Sequence, residues 1–105
     1  MKTNEELYDE ADKLKEEGLL AEAVEKLHEL LRQDANYPLA HSALAVLYTK
    51  LKQHERAIEH GQKVCEMEPN DPFSFTALSV TYQRAGKILE AEDAMARARL
   101  LQQHR

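Results

Sequence analysis

At 105 residues with 43% hydrophobic side chains, the chain has material for one modest core and not for two. Its formal charge of −5, with no basic patch, argues against a nucleic-acid partner, because such binding rests on neutralising phosphates. A single cysteine, Cys65, excludes an internal disulfide, a CxxC redox pair and a cysteine-rich zinc site.

The N-terminal Met1-Lys2-Thr3-Asn4 leads straight into charged sequence with no apolar signal core. No run approaches the ~20 apolar residues of a membrane span. The expected location is therefore the reducing cytoplasm, with no membrane partner. Only three Gly and three Pro interrupt the chain, and Ala, Leu, Glu, Lys, Arg and Gln fill most positions, so helix is expected throughout.

In chain order, Thr3 and Glu6 form a capping-box pair that opens a helix carrying Leu7, Ala11 and Leu14 on one face, and Gly18 marks the turn after it. A second apolar face follows in Ala23, Leu27, Leu30 and Leu31, and a third in Leu44, Tyr48 and Leu51. The fourth holds Ala57, Ile58, Val64 and Cys65. Asp71-Pro72 then reads as an N-cap with a first-turn proline, ahead of Leu78, Tyr82 and Ala85, with Gly86 at the turn. The last face is Ala91, Met95, Ala98 and Leu101. Spacings of three, four and seven predict six helices of about 13 to 16 residues.

Laid against itself at an offset of 34, the chain repeats. Ala11, Ala45 and Ser79 share a column, as do Ala23, Ala57 and Ala91; Leu14, Tyr48 and Tyr82; and Leu30, Val64 and Ala98. Gly18 and Gly86 occupy one turn column, where the middle copy has Lys52. Three repeats, 4–37, 38–71 and 72–105, fill a single domain, 1–105. The small columns allow the two helices of each hairpin to approach closely. Gly61 interrupts a column of Leu27 and Met95, which predicts a close neighbour there, with Phe75 the expected one.

Leu44, Ala45, Tyr48, Ala57 and Pro69, with the stretch from Ala57-Ile58-Glu59 to Glu68-Pro69-Asn70-Asp71, resemble the tetratricopeptide repeat signature. Each copy departs from it: the Trp-like column holds Leu7, His41 and Phe75, and the closing Pro column holds Ala35, Pro69 and Gln103. The resemblance implies an all-α fold, a right-handed superhelical array of three helix-turn-helix repeats, or α-solenoid, whose first helices line a concave groove.

The same resemblance implies groove-facing positions at Glu5, Tyr8, Asp12, Lys15 and Glu16; Leu39, Ser42, Val46, Thr49 and Lys50; Phe73, Thr76, Val80, Gln83 and Arg84. Tyr8, Leu39, Val46, Phe73 and Val80 would form an apolar strip suited to a peptide or helix of a protein partner. The alternative from sequence is that Leu39 and Phe73 pack against neighbouring hairpins and only Val46 and Val80 are exposed. Glu5, Asp12 and Glu16 favour a partner with basic residues beside its apolar anchors. Relatives that hold acidic chaperone tails use Lys, Asn and Arg at positions matching Tyr8, Asp12, Ala43, Phe73 and Ala77 here, so that ligand is not expected.

A second surface is expected where no further helix follows the sixth. Ala94, Met95, Ala98 and Leu101 would face a missing fourth repeat and could support a homo-oligomer. Residues 1–35 carry 11 acidic and 5 basic side chains, and residues 72–105 carry 3 and 5, which suits head-to-tail stacking.

Catalytic, metal and cofactor roles are not expected. The five histidines, His28, His41, His54, His60 and His104, scatter over several helices without HxxxH or HExxH spacing. His41, in the column of Leu7 and Phe75, reads as an inter-helix hydrogen-bonding group or a mild pH sensor. Cys65 reads as a small packing residue. The reading is a non-enzymatic adaptor or scaffold, with a self-assembling array as the alternative.

Overall fold

The computed structural model describes residues 1–104; Arg105, the last residue of the third expected repeat, lies outside the described residues. Six helices run as α1 (Asn4–Glu16), α2 (Leu20–Gln33), α3 (Pro38–Lys50), α4 (His54–Met67), α5 (Pro72–Arg84) and α6 (Ile88–Gln103). They pair as hairpins α1/α2, α3/α4 and α5/α6, and each hairpin leans on the next through α2 on α3 and α4 on α5. The result is an all-helical repeat solenoid measuring 42 × 28 × 20 Å.

Local chemistry sets the helix ends. Thr3 Oγ1 accepts from Glu6 N at 3.1 Å, while Thr3 N donates to Glu6 Oε1 at 2.9 Å, completing the capping box of α1. Asp71 Oδ1 accepts from Phe73 N at 3.0 Å ahead of Pro72, the first residue of α5. Both prolines that open helices occupy positions where the missing N–H would have no intrahelical partner. Hairpin turns need one left-handed residue: Gly18 has φ 82° and Gly86 φ 79°, and Lys52 takes the same turn at φ 61°. Its Cβ makes that conformation cost roughly 1 kcal/mol or more relative to glycine.

Within the hairpins the small columns are buried as spacing predicts: Ala11, Ala45 and Ser79 face Ala23, Ala57 and Ala91, none more than 7% exposed. Ser79 is the one polar member, and its hydroxyl donates to Ala91 O at 2.9 Å, so burial leaves nothing unsatisfied. Apolar packing falls into two clusters. The larger, with Leu7, Leu27, Leu30, Leu44 and Leu47, joins repeats one and two. The smaller gathers Cys65, Leu78 and Ala94, with Phe75 and Tyr82 against it.

Gly61 has the close neighbour its column predicts, but a different one. A Cβ built there would lie 3.0 Å from Leu78 Cδ1. Phe75, one turn earlier on α5, packs on the Cys65 cluster instead, with the Arg97 guanidinium 5.8 Å from its ring centre. Gly61→Leu is therefore expected to destabilise by about 1–3 kcal/mol through overpacking, despite the better helix propensity of leucine. Urea unfolding followed by far-UV circular dichroism measures it; a raised midpoint would contradict the close approach.

Candidate protein-binding groove

Parallel placement of α3 and α5, which touch directly, opens a cleft of about 1140 Å³ on the concave side of repeats two and three. Leu39, Ser42, Val46 and Thr49 line it from α3, and Phe73, Ala77, Val80 and Thr81 from α5. Leu39 is 55% exposed, Val46 50%, Phe73 68% and Val80 44%. Leu39 and Phe73 thus stand free in the cleft and are not packed between hairpins, which removes the alternative that sequence left open.

The other expected groove residues are distributed differently. Tyr8 and Asp12 line a small separate depression between α1 and α3, with Lys15, Ala43 and Leu47. Thr76 is half-buried and its hydroxyl donates to Pro72 O at 3.1 Å, so it is turned to its own helix. Gln83 is exposed but outside the cleft lining. The acidic side chains of α1 do not border the cleft either, and Asp12 pairs with Lys15 at 3.2 Å. A basic partner argued from Glu5, Asp12 and Glu16 therefore loses its footing.

What does border the cleft is charge of both signs, segregated by end. Glu68 and Asp71 stand at the mouth where α3 and α5 begin, and Lys50, Lys52 and Arg84 at the mouth where they finish. His54 also lines the cleft, and its Nδ1 is buried without a hydrogen-bond partner.

Two of the four expected self-association residues are spent inside the last hairpin. Ala94 is 7% and Ala98 1% exposed; Met95 and Leu101 are half-buried. α6 turns its alanine face toward α5 because the small column lets the two helices close. Its large exposed apolar side chains are Ile88, Leu89 and Leu100, which spacing did not single out.

Three histidines that lie far apart in the sequence meet between repeats one and two. His41 Nε2 lies 2.9 Å from Ala35 O and, since a carbonyl only accepts, must carry the proton. His41 Nδ1 is then the acceptor for the His60 Nδ1–H, 2.9 Å away. His60 stacks on Tyr48 with ring centres 5.7 Å apart, and His28 Nε2 bonds to the Tyr48 hydroxyl at 2.8 Å. Burial, with the His41 and His28 charges adding to it, pushes His60 down to about 4. Burial also lowers His28, helped by Arg32 and Arg56. His41 is thus the satisfied inter-helix group foreseen, with partners the spacing did not reveal. Cys65 is buried, and burial, aided by Asp71, raises its thiol to about 11, as a packing residue rather than a nucleophile requires.

Among the described residues no helix is long and apolar enough to cross a membrane, and no group of His, Cys, Asp and Glu side chains is arranged to hold a metal ion.

Stacked helical hairpins with an apolar concave cleft define a solenoid of the protein-interaction class. A family model described as Tetratricopeptide repeat matches residues 14–72, and the chain belongs to the tetratricopeptide repeat family. It is 32% identical over 77 residues to the photosystem I assembly protein Ycf3 of Synechococcus sp. (strain CC9605), a match covering 70% of this chain and 44% of that protein. The chain thus spans less than half the length of that relative. Among solved structures it is similar to MamA, with 19% identity and a TM-score of 0.88, covering 97% of this chain and 60% of that one. It is similar also to the second TPR of Spaghetti (RPAP3) bound to the HSP90 peptide SRMEEVD, with 19% identity and a TM-score of 0.83, covering 95% and 93%. At such identities the two structures show a shared fold and no more.

Proposed function

We propose that the chain is a non-catalytic interaction module that holds an apolar peptide segment of another protein in the cleft between α3 and α5. The observation that carries this reading is the row Leu39, Val46, Phe73 and Val80, four large apolar side chains exposed together along one concave surface. A continuous apolar surface in a concave site gains by excluding water when an apolar partner fills it. The fold neighbour bound to an HSP90 peptide supports peptide capture as a use of this architecture. That particular peptide does not transfer, since Tyr8, Asp12, Ala43, Phe73 and Ala77 supply no cation or amide at the corresponding positions. Support for the cleft over end-to-end stacking comes from the burial of Ala94 and Ala98.

The test is the double change Val46→Lys with Val80→Lys. It is expected to weaken peptides selected on the wild-type chain by at least about a hundredfold, because two apolar contacts become desolvated ammonium groups. Helicity and melting temperature should hold, since both positions are half exposed. Fluorescence anisotropy and circular dichroism read the two quantities; undiminished binding in a folded double variant would refute the site.

A further inference from the structure

We infer that the cleft is directional, and that its occupant is an apolar peptide bearing Asp or Glu side chains at one end, seated on Lys50, Lys52 and Arg84. The inference rests on the peptide-binding reading of the cleft and adds the charge and the orientation of what it binds. Lys50 and Arg84 close α3 and α5, and Lys52 stands in the turn after α3, so all three belong to one mouth of the cleft. The ion pairs of the described residues use Lys2, Lys15 and Lys26, and none uses these three cations. From Leu39 to Lys50 the helix rises about 16 Å, the length of some five extended residues. An extended segment with its apolar side chains over Leu39, Val46, Phe73 and Val80 would thus bring a flanking carboxylate to the cationic mouth. At the other mouth Glu68 is exposed and Asp71 is engaged in capping α5, so the reversed orientation sets carboxylate against carboxylate.

Lysine at a helix C-terminus complements the helix dipole, which accounts for Lys50 and Arg84 without any ligand. Lys52, one residue past the C-cap Leu51, shares that benefit, but only by taking a backbone conformation disfavoured for lysine. The other two repeats place Gly18 and Gly86 at this turn, and Lys52 adopts the same left-handed conformation with a φ of 61°, against its own preference. A lysine held in a disfavoured backbone conformation, whose side chain lines the site and forms no ion pair, points to a ligand group it serves.

A display library of random peptides, each fused through its C-terminus so that no free terminal carboxylate is offered, is selected on the full chain. Recovered peptides are expected to carry apolar residues flanked on one side by Asp or Glu. A labelled synthetic copy should bind Lys52→Gly, and Lys50→Glu with Arg84→Glu, on the order of tenfold more weakly, with the wild-type complex weakening as salt rises. Lys52→Gly should melt no lower than the wild type, a combination that a purely structural lysine would not give. Recovered peptides that need Val46 and Val80 but lack acidic residues, or carry Lys and Arg in their place, would overturn the directional reading and leave the cleft standing. If no recovered peptide depends on Val46 and Val80, the cleft reading falls and this one with it.

Discussion

Replacing Leu44 by alanine is expected to lower the unfolding free energy by about 2–5 kcal/mol. Leu44 is fully buried on α3 and belongs to the cluster that holds Leu7, Leu27, Leu30 and Leu47. α3 packs on α2 before it and α5 after it, so the methyl groups of Leu44 sit where the hairpins share a core and no single hairpin can close over the gap. A chain of this size is stable by only about 5–15 kcal/mol, so the loss is a large share of the total. Urea titration followed by far-UV circular dichroism should show the midpoint falling with little change in slope. Leu100→Ala, at a position 49% exposed, should shift it by no more than about 0.5 kcal/mol. Equal effects of the two changes would mean that the first two repeats do not share a core.

Acid should weaken the same junction through His60. The ring titrates at 6.5 when unfolded and at about 4 in the folded chain. Above pH 6.5 neither state takes the proton and the stability is fully present. Between 6.5 and 4 the unfolded chain binds a proton that the folded chain refuses, so stability falls as pH falls; below 4 both states are protonated and the loss levels off. After allowance for solvent screening of a half-buried ring, the drop is about 2 kcal/mol, with a smaller contribution in the same direction from His28. His60→Phe keeps the ring against Tyr48 and should flatten this slope, which separates it from carboxylate titration. Urea midpoints above pH 6.5 and near pH 4 for the two proteins provide the measurement, and parallel slopes would assign the acid sensitivity elsewhere.

Much of the fold was legible because the repeat places residues of one size in the same column. Ala11, Ala45 and Ser79, small in all three copies, mark close helix approach, and Gly18 and Gly86 a left-handed turn. Periodicity reveals which residues play equal parts within hairpins, and much less about how one hairpin rotates onto the next. The misjudged features mostly sit at that second level: Leu78 rather than Phe75 against Gly61, the acidic face of α1 lying outside the cleft, and the meeting of His28, His41 and His60; the inward turn of Ala94 and Ala98 is the exception, since it lies within one hairpin. One signal was there to be used. His28 bonds to Tyr48 and Gln62 to the Tyr82 hydroxyl, both across twenty residues and one period apart, so a polar residue recurring ahead of the tyrosine column marks the seam between repeats. Within the cleft, Lys52 was visible as a departure from glycine, but its place at the cationic mouth required the stacked geometry.

The division of the core into a larger and a smaller cluster gives the two walls of the cleft different stiffness. α3 is anchored in the larger cluster, whereas α5 leans on Cys65, Leu78 and Ala94. In a linear array each unit opens with a free energy set by its own packing and its neighbours, so the hairpin resting on the smaller cluster swings at lower cost than the one held in the larger. For the peptide capture proposed above, the aperture between the walls then amounts to a jaw with one fixed and one sprung side, which suits segments of different girth.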